Sequence, residues 1–89
     1  MALIGKGYAL DKLARYDDAI SCLDKALKNY PDIAYAVLIK EDALYGKAVS
    51  LVKAGNYQEA VIYYGEILKM DPKFVFTEAD LDVIHKFAK

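Results

Sequence analysis

The sequence predicts an all-α fold of about five helices, and three observations support this prediction. Apolar residues recur every three to four positions along most of the 89 residues, which is the period of an amphipathic helix. Pro31 and Pro72 each follow such a stretch, where proline ends a helix because it lacks the backbone donor needed to continue it. The chain also matches itself after a shift of 41 positions, which we call the repeat offset. A unit of two helices therefore occurs twice.

The internal repeat covers residues 2–31 and 43–72. Eleven of the thirty positions in the first copy are identical in the second, and conservative pairs such as Ile20 with Val61 support them. The identical pairs are Ala2/Ala43, Leu3/Leu44, Gly5/Gly46, Lys6/Lys47, Leu10/Leu51, Lys12/Lys53, Tyr16/Tyr57, Ala19/Ala60, Leu27/Leu68, Lys28/Lys69 and Pro31/Pro72. Composition alone does not explain so many matches at one fixed offset.

Each copy contains two amphipathic helices separated by a short break. The apolar stripes of the first copy are Leu3, Gly7, Leu10 and Ala14, then Ala19, Ile20, Leu23, Ala26 and Leu27; those of the second are Leu44, Ala48, Leu51 and Val52, then Ala60, Val61, Tyr64, Ile67 and Leu68. The breaks fall at residues 14–16 and 54–56, where Gly55 suits the left-handed end of a helix. Glycine inside a helix costs roughly 1 kcal/mol relative to alanine, so Gly7 predicts a close helix crossing.

A fifth helix is predicted from about Glu78 to Ala88. Thr77 fits its N-cap, and Asp80 fits the reciprocal position of a capping box. Its apolar stripe consists of Leu81, Ile84 and Ala88, with Val83 and Phe87 beside it. The segment has neither the small mid-helix residue nor the partner helix of a third copy, so we expect it to cap the second one.

The repeated unit resembles the tetratricopeptide repeat. The signature of that family places a large residue, Leu-Gly and Tyr on the first helix, and Ala, an aromatic residue and Pro on the second. The corresponding residues are Leu3, Lys6, Gly7, Leu10, Ala19, Leu23 and Pro31, then Leu44, Lys47, Ala48, Leu51, Ala60, Tyr64 and Pro72. Lysine replaces leucine at Lys6 and Lys47, which narrows the buried stripe. The resemblance implies a single domain, a right-handed α-α superhelix with repeat 1 at about 2–33, repeat 2 at about 41–74 and a capping helix at about 77–88.

The repeat offset of 41 positions exceeds that of the family, 34, by seven, and the surplus falls on AYAVLIK, residues 34–40. Seven residues add about 700° of rotation, close to two turns, and about 10 Å of length, so the helix face is preserved. Asp32 can cap this segment, and no proline or glycine interrupts residues 33–45. We therefore expect one long helix from about Ile33 to Ala54. Its core stripe of Leu44, Ala48 and Leu51 should extend back through Glu41, Val37 and Ala34.

The other apolar residues of this extension, Tyr35, Leu38 and Ile39, cannot all face the same neighbour. Three interpretations are open. The C-terminal segment covers these residues, or they form a contact with another chain, including an identical one, or residues 34–40 are a loop or strand rather than a helix. Two repeats are also fewer than the three that such stacks usually need. We therefore expect either part of a longer array or a chain that completes its core by self-association.

The resemblance further implies a groove lined by the first helix of each repeat. Its residues are Ile4, Tyr8, Asp11 and Lys12 from the first copy and Asp42, Tyr45, Val49, Val52 and Lys53 from the second. Relatives that hold a terminal carboxylate use lysine and asparagine where this chain has Ile4, Tyr8 and Gly46, so no carboxylate clamp is expected. The leading hypothesis is a scaffold or adaptor that binds an apolar peptide or helix in this groove, anchored by Tyr8, Tyr45 and Val49. The alternative is a structural homo-oligomer.

Composition and motifs argue against other classes. The 12 basic and 13 acidic residues nearly cancel and are spread along the chain, which disfavours nucleic acid as a partner. No run reaches the roughly 20 apolar residues of a membrane span, and the single Cys22 fits a reducing, cytosolic compartment. His85 with Asp82 is too sparse for a metal site, the GKG at residues 5–7 lacks the rest of a phosphate loop, and Cys22 lacks a base. We expect no cofactor, no metal and no enzymatic activity.

Overall fold

The computed structural model describes residues 2–88, which form five α-helices joined by short connections. The helices are α1 (Ala2–Lys12), α2 (Tyr16–Asn29), α3 (Ala34–Lys53), α4 (Tyr57–Met70) and α5 (Glu78–Phe87). α1 pairs with α2 and α3 with α4, so there are two helical hairpins; α3 also packs along α2, and α5 lies against α4. Residues 2–88 contain no strand, and the predicted all-α class is confirmed.

The two hairpin turns share one backbone geometry. Ala14 has a φ of 60°, and Gly55, its counterpart in the second copy, has a φ of 82°. The amide after each of them donates to a carbonyl in the last helical turn, that of Leu10 at 2.9 Å and that of Leu51 at 2.8 Å. This bond closes a helix in the Schellman motif, and glycine suits it because a Cβ is strained at positive φ. The predicted helix end at Gly55 is confirmed.

The long third helix runs unbroken from Ala34 to Lys53, as predicted, and the loop or strand interpretation of AYAVLIK is wrong. Its buried face changes along its length. Near its beginning, Ala36 and Ile39 pack into a cluster formed with the first hairpin, whereas Leu51, near its end, packs into a cluster with α4. A single straight stripe therefore describes this helix poorly. Of the predicted continuation of that stripe, Glu41 is buried, Val37 is half-buried and Ala34 is exposed.

Ile39 does not belong to the exposed contact expected for the extension. It is only 5% exposed and packs with Ile4 of α1 and Leu23 of α2. Tyr35 and Leu38 do lie on the surface, 58% and 61% exposed. The cover for the inner side of the extension therefore comes from the first hairpin, and the interpretation that the C-terminal segment covers these residues is wrong.

Two local predictions, the helix crossing at Gly7 and the capping box before α5, are confirmed. A Cβ on Gly7 would lie 2.8 Å from Cγ of Leu23, so only glycine permits α1 and α2 to approach this closely. At the start of α5, Asp80 N–H donates to Oγ1 of Thr77 at 3.2 Å, and Thr77 N–H donates to the Asp80 carboxylate at 3.2 Å. Within residues 2–88, no helix combines the length and the apolar character that crossing a membrane requires.

Candidate interaction surfaces

The fold contains two helix interfaces at equivalent repeat positions. In the first interface the beginning of α3 packs on the first hairpin, and in the second interface α5 packs on the second hairpin. The centre of the first consists of Ile4, Leu23 and Ile39, which are all buried and apolar. The first interface is therefore held by the ordinary burial of aliphatic side chains.

The centre of the second interface is polar at the same three repeat positions. Tyr45, Tyr64 and Asp80 each stand one repeat offset after one of the three aliphatic residues of the first interface. The Tyr45 hydroxyl donates to Oδ2 of Asp80 at 2.6 Å, and the Tyr64 hydroxyl donates to Oδ1 at 2.8 Å. Asp80 is the single buried residue of α5, so this carboxylate fixes α5 to the hairpin.

The hydrogen bonds around Asp80 keep it ionised. Burial on its own would raise the pKa of this carboxyl group, but donation from Tyr45, Tyr64 and Thr77 outweighs it, and the pKa lies below its ordinary value. Burial and the hydrogen bond to Asp80 together raise the pKa of Tyr64. The hydrogen bond to Asp80 comes first among the causes that raise the pKa of Tyr45, followed by burial. Both tyrosines therefore remain neutral donors to a charged acceptor, which is a strong form of hydrogen bond.

Tyr45 is fully engaged within the chain. Its ring lies 5.9 Å from that of Phe74 and 6.3 Å from that of Tyr64, and Tyr64 in turn meets Phe76 edge-on at 5.2 Å. Phe74 and Tyr64 thus lie beside the half-buried Tyr45 ring, and the Tyr45 hydroxyl donates to Asp80. Tyr45, which was expected to anchor a ligand in the groove, thus has intrachain partners for both its ring and its hydroxyl.

An acid pair lies between α1 and α3. Asp11 is 6% exposed and faces Asp42. Burial, followed by a hydrogen bond with Asp42 and the charge of Asp42, raises the pKa of Asp11 to about 7, while Lys12 opposes the rise. The residues one repeat offset later are Val52 and Val83, which both pack at the edge of the second interface. The polarity of the two interfaces is therefore opposite at two sets of positions. The centre is apolar in the first interface and polar in the second, whereas Asp11 and Asp42 are polar in the first and their counterparts are valines in the second.

A second acid pair lies between α3 and the end of α4. Glu41 is buried, and its pKa is raised by burial first, then by the charge of Asp71 and a hydrogen bond with it. Neither pair has the further ligands that a metal would need. In the described residues 2–88, no group of three or more His, Cys, Asp or Glu side chains could hold a metal ion.

The predicted groove residues divide into three groups. Ile4 and Asp11 are buried, and Tyr45 is tied to α5, so these three do not offer a free contact. The exposed or half-buried members are Tyr8, Lys12, Asp42, Val49, Val52 and Lys53. Tyr8 is 44% exposed, with Nζ of Lys12 5.3 Å from the centre of its ring. We call Tyr8, Lys12, Val49 and Lys53 the groove face; Val49 and Lys53 are the repeat counterparts of Tyr8 and Lys12.

A comparison with known families classifies the chain. The family model described as "Tetratricopeptide repeat" matches residues 4–73, which span most of α1 and all of α2, α3 and α4. The chain belongs to the tetratricopeptide repeat family. Its five helices fit two tetratricopeptide repeats and a C-terminal helix. No curated protein and no solved structure matches the sequence. Tetratricopeptide repeats generally serve as protein–protein interaction modules and are typically not catalytic.

The sequence of this tetratricopeptide repeat protein did not by itself single out the Asp80 cluster. Asp80 was expected only as a capping residue, and Tyr64 only as a member of an apolar stripe. The cluster could have been found by extending the comparison at the repeat offset beyond Pro72, into the C-terminal helix. Tyr45 and Tyr64 occupy places that are aliphatic in the first copy, and two core hydroxyl groups need an acceptor. Asp80 is the counterpart of Ile39 at the same offset, and Ile39 packs against the counterparts of the two tyrosines, Ile4 and Leu23.

Proposed function

We propose that this tetratricopeptide repeat domain is a scaffold or adaptor that binds an apolar peptide segment or helix on the groove face. Tyr8 carries the proposal, because it is an aromatic side chain on a leading helix that remains 44% exposed. The half-buried Val49 occupies the same repeat position on the next leading helix. Apolar side chains of the ligand would contact Tyr8 and Val49, as a helix or extended segment does when it binds in a helical groove.

The charges of the groove face refine the ligand. Lys12 and Lys53 are exposed and occupy equal positions in the two repeats, one turn after Tyr8 and Val49. Two lysines beside the apolar contacts favour a ligand that carries acidic residues next to its apolar ones. Such complementary charges contribute mainly to the rate of association and to selection against basic segments. The preferred ligand is therefore apolar in its centre and acidic at its flank.

A selection from a peptide library displayed on phage, made against the whole chain, tests this proposal. Binding of the selected peptides is then measured by fluorescence anisotropy for the wild type, Tyr8→Ala and Tyr30→Ala. Tyr30 is a matched control because it is 54% exposed but lies after α2, outside the groove face. We expect Tyr8→Ala to weaken binding by about tenfold or more, as interface tyrosines do, and Tyr30→Ala to leave it within about twofold. Equal binding by a folded Tyr8→Ala variant contradicts the proposal.

A homo-oligomer is the second candidate, and the exposure of Tyr35 and Leu38 favours it. The two side chains lie about one turn apart on one face of α3, and both are more than half exposed. Light scattering over a dilution series measures the mass of the wild type, Leu38→Glu and the control Ile62→Glu. Leu38 and Ile62 are both 61% exposed, on different helices. The hypothesis expects an oligomer that Leu38→Glu alone dissociates; a monomeric wild type contradicts it.

A further inference from the structure

Three carboxyl groups are buried in residues 2–88, and they differ in what they face. Asp11, Glu41 and Asp80 are each 6% exposed. Asp80 receives hydrogen bonds from two tyrosine hydroxyls and a backbone amide. Asp11 and Glu41 instead each face another carboxyl group, that of Asp42 and that of Asp71. Two of the three buried carboxyls are therefore placed against a group of the same charge, which disfavours their ionised form.

The cations beside these pairs do not neutralise them. Lys12 follows Asp11 on α1 and opposes the rise in its pKa, but Lys12 is exposed, so water weakens its effect. Lys40 precedes Glu41 on α3, but its Nζ pairs with Asp24 of α2 at 2.6 Å. Among the ion pairs of residues 2–88, none includes Asp11 or Glu41.

The two carboxyl pairs share one short segment of α3. Glu41 and Asp42 are consecutive residues of this helix and face different neighbours. Asp42 faces Asp11 near the end of α1, and Glu41 faces Asp71, the residue that directly follows α4. The segment therefore contacts the first hairpin through one carboxyl pair and the end of the second hairpin through the other.

A buried carboxyl pair holds a proton more tightly than a single exposed carboxyl group. The two groups cannot both be charged without repulsion, and one proton forms a hydrogen bond between them. Burial, followed by the hydrogen bond with Asp42 and its charge, raises the pKa of Asp11 to about 7. Burial, followed by the charge of Asp71 and the hydrogen bond with it, raises the pKa of Glu41 above its ordinary value.

We propose that the two carboxyl pairs form a pH-sensitive contact that holds α3 against α1 and the end of α4 when protonated and weakens as the pH rises. In the protonated state, each pair contributes a hydrogen bond between two elements. In the ionised state, each pair contributes repulsion. The sign is opposite to that of the contact made by Asp80, whose lowered pKa makes the docking of α5 weaken in acid.

The first carboxyl pair lies near the groove face. Asp11 follows Tyr8 by about one turn of α1, and Asp42 precedes Val49 by about two turns of α3, so each pair of residues shares a helix face. The pH-sensitive contact would thus fix the two walls of the groove relative to each other in acid and loosen them at higher pH. This consequence for peptide binding rests on the proposed function, whereas the contact itself does not.

Thermal melting at pH 4 and pH 8 tests the contact in the wild type, Asp11→Asn and Glu41→Gln. Each amide has the shape of the protonated carboxyl and stays uncharged. Asp11→Asn should raise the melting temperature at pH 8 by roughly 5–10 °C and much less at pH 4, and Glu41→Gln should act in the same direction. Asp82→Asn is the matched control, because Asp82 is the exposed repeat counterpart of Glu41, and it should change the melting temperature little at either pH.

The variant Asp42→Asn tests whether the proton is shared within the pair. It places an amide donor, instead of a second charge, beside Asp11, so it should also reduce the dependence of the melting temperature on pH. The double variant Asp11→Asn/Asp42→Asn should gain little over Asp11→Asn, because the repulsion is already absent. A pH dependence that Asp42→Asn leaves unchanged would show that burial alone acts on Asp11, and it would overturn the proposed pair.

Hydrogen exchange at pH 5.5 and pH 7.5 locates the effect. Protection factors, which correct for the intrinsic pH dependence of exchange, should fall with rising pH by roughly tenfold or more in residues 2–12 and 34–45 of the wild type, and less in residues 78–87. The double variant Asp11→Asn/Glu41→Gln should remove this difference between the segments. An equal fall in all five helices of the wild type overturns the proposal, and so does an equal gain in the melting temperature of the double variant at pH 4 and pH 8.

Discussion

Replacing Asp80 by alanine should release α5 from the rest of the fold. Asp80 is 6% exposed, it is the one buried residue of α5, and its carboxylate receives hydrogen bonds from Tyr45, Tyr64 and the backbone of Thr77. Alanine removes all three bonds at once and leaves the Tyr64 hydroxyl without an acceptor in a buried position. The substitution therefore acts on the contact of α5 with the second hairpin and much less on the first hairpin.

The magnitude follows from what each group loses. Leaving the buried Tyr64 hydroxyl without an acceptor costs about 1–3 kcal/mol, and losing the side-chain half of the capping box costs about 1 kcal/mol. Tyr45 is half-buried and can recover a water molecule, so it adds less. We expect Asp80→Ala to lower the free energy of unfolding by roughly 2–4 kcal/mol. This loss in stability cannot exceed the free energy with which α5 binds to the rest of the fold, because a weaker contact has no further effect once α5 has separated.

Two measurements check this prediction, urea denaturation for the global stability and hydrogen exchange of residues 78–87 for the docking of α5. Asp82→Ala is the control, since Asp82 lies on the same helix but is exposed, and it should change the stability by less than about 0.5 kcal/mol. Exchange in α5 should accelerate in Asp80→Ala and not in Asp82→Ala. Wild-type stability together with unchanged protection of α5 in Asp80→Ala would refute the role assigned to this carboxylate.

The pH dependence of the stability provides an independent test of the role of Asp80. The pKa of Asp80 is lowered in the folded state, so its contribution to stability is present above the unfolded value of 3.8 and is lost as the pH falls through the folded value. The difference in stability between wild type and Asp80→Ala should therefore be constant near neutral pH and shrink in acid. A difference that grows on acidification would contradict the assignment.

Three further predictions concern other positions. Gly46→Ala should destabilise the fold by roughly 1–3 kcal/mol in thermal melting, although alanine favours helices, because the added methyl group overlaps a tyrosine ring. Asp11→Asn should raise the stability at pH 8 by about 1–2 kcal/mol and have little effect near pH 4. The pKa of Asp11 is raised from 3.8 to about 7 in the folded state, so ionisation of this carboxyl lowers the native stability as the pH rises between these two values. An equal effect at both pH values would refute this. In urea denaturation, Ile39→Ala should cost roughly 2–5 kcal/mol, whereas Leu38→Ala should cost less than about 0.5 kcal/mol.

The sequence predicted the helices well because their determinants are local. Apolar periodicity, two prolines, Gly55 and the Thr77 capping box each act within a few residues, and the helices end close to the expected positions. Even the unusual length of α3 followed from the absence of a helix breaker and the two-turn insertion. Features of this kind can be inferred from one chain because they need no knowledge of which helix packs on which.

The face of the extension was predicted wrongly because α3 serves two partners. Ala36 and Ile39 face the first hairpin, while Ala48 and Leu51 pack with the second. Extrapolating the stripe back from the second hairpin assumed one neighbour along the whole helix. The hydrogen bond of Tyr45 was missed for a related reason, since its acceptor, Asp80, lies 35 positions away. Contacts over such distances depend on tertiary packing, and periodicity does not report them.

The exchange of polarity between the two interfaces explains how similar hairpins keep their own partners. If α5 packed on the first hairpin, the carboxylate of Asp80 would be buried between Ile4 and Leu23 without a donor, which costs several kcal/mol.

The reverse exchange is equally unfavourable. If an aliphatic residue such as that at Ile39 took the place of Asp80 against the second hairpin, the hydroxyl of Tyr64 would lose its acceptor, and that of Tyr45 would have to bind water. Each wrong pairing thus leaves buried polar groups unsatisfied, while each correct pairing satisfies them. These few positions therefore contribute directly to the free energy that separates the two registers. A chain that repeats its own sequence can in this way still specify a single order of helices.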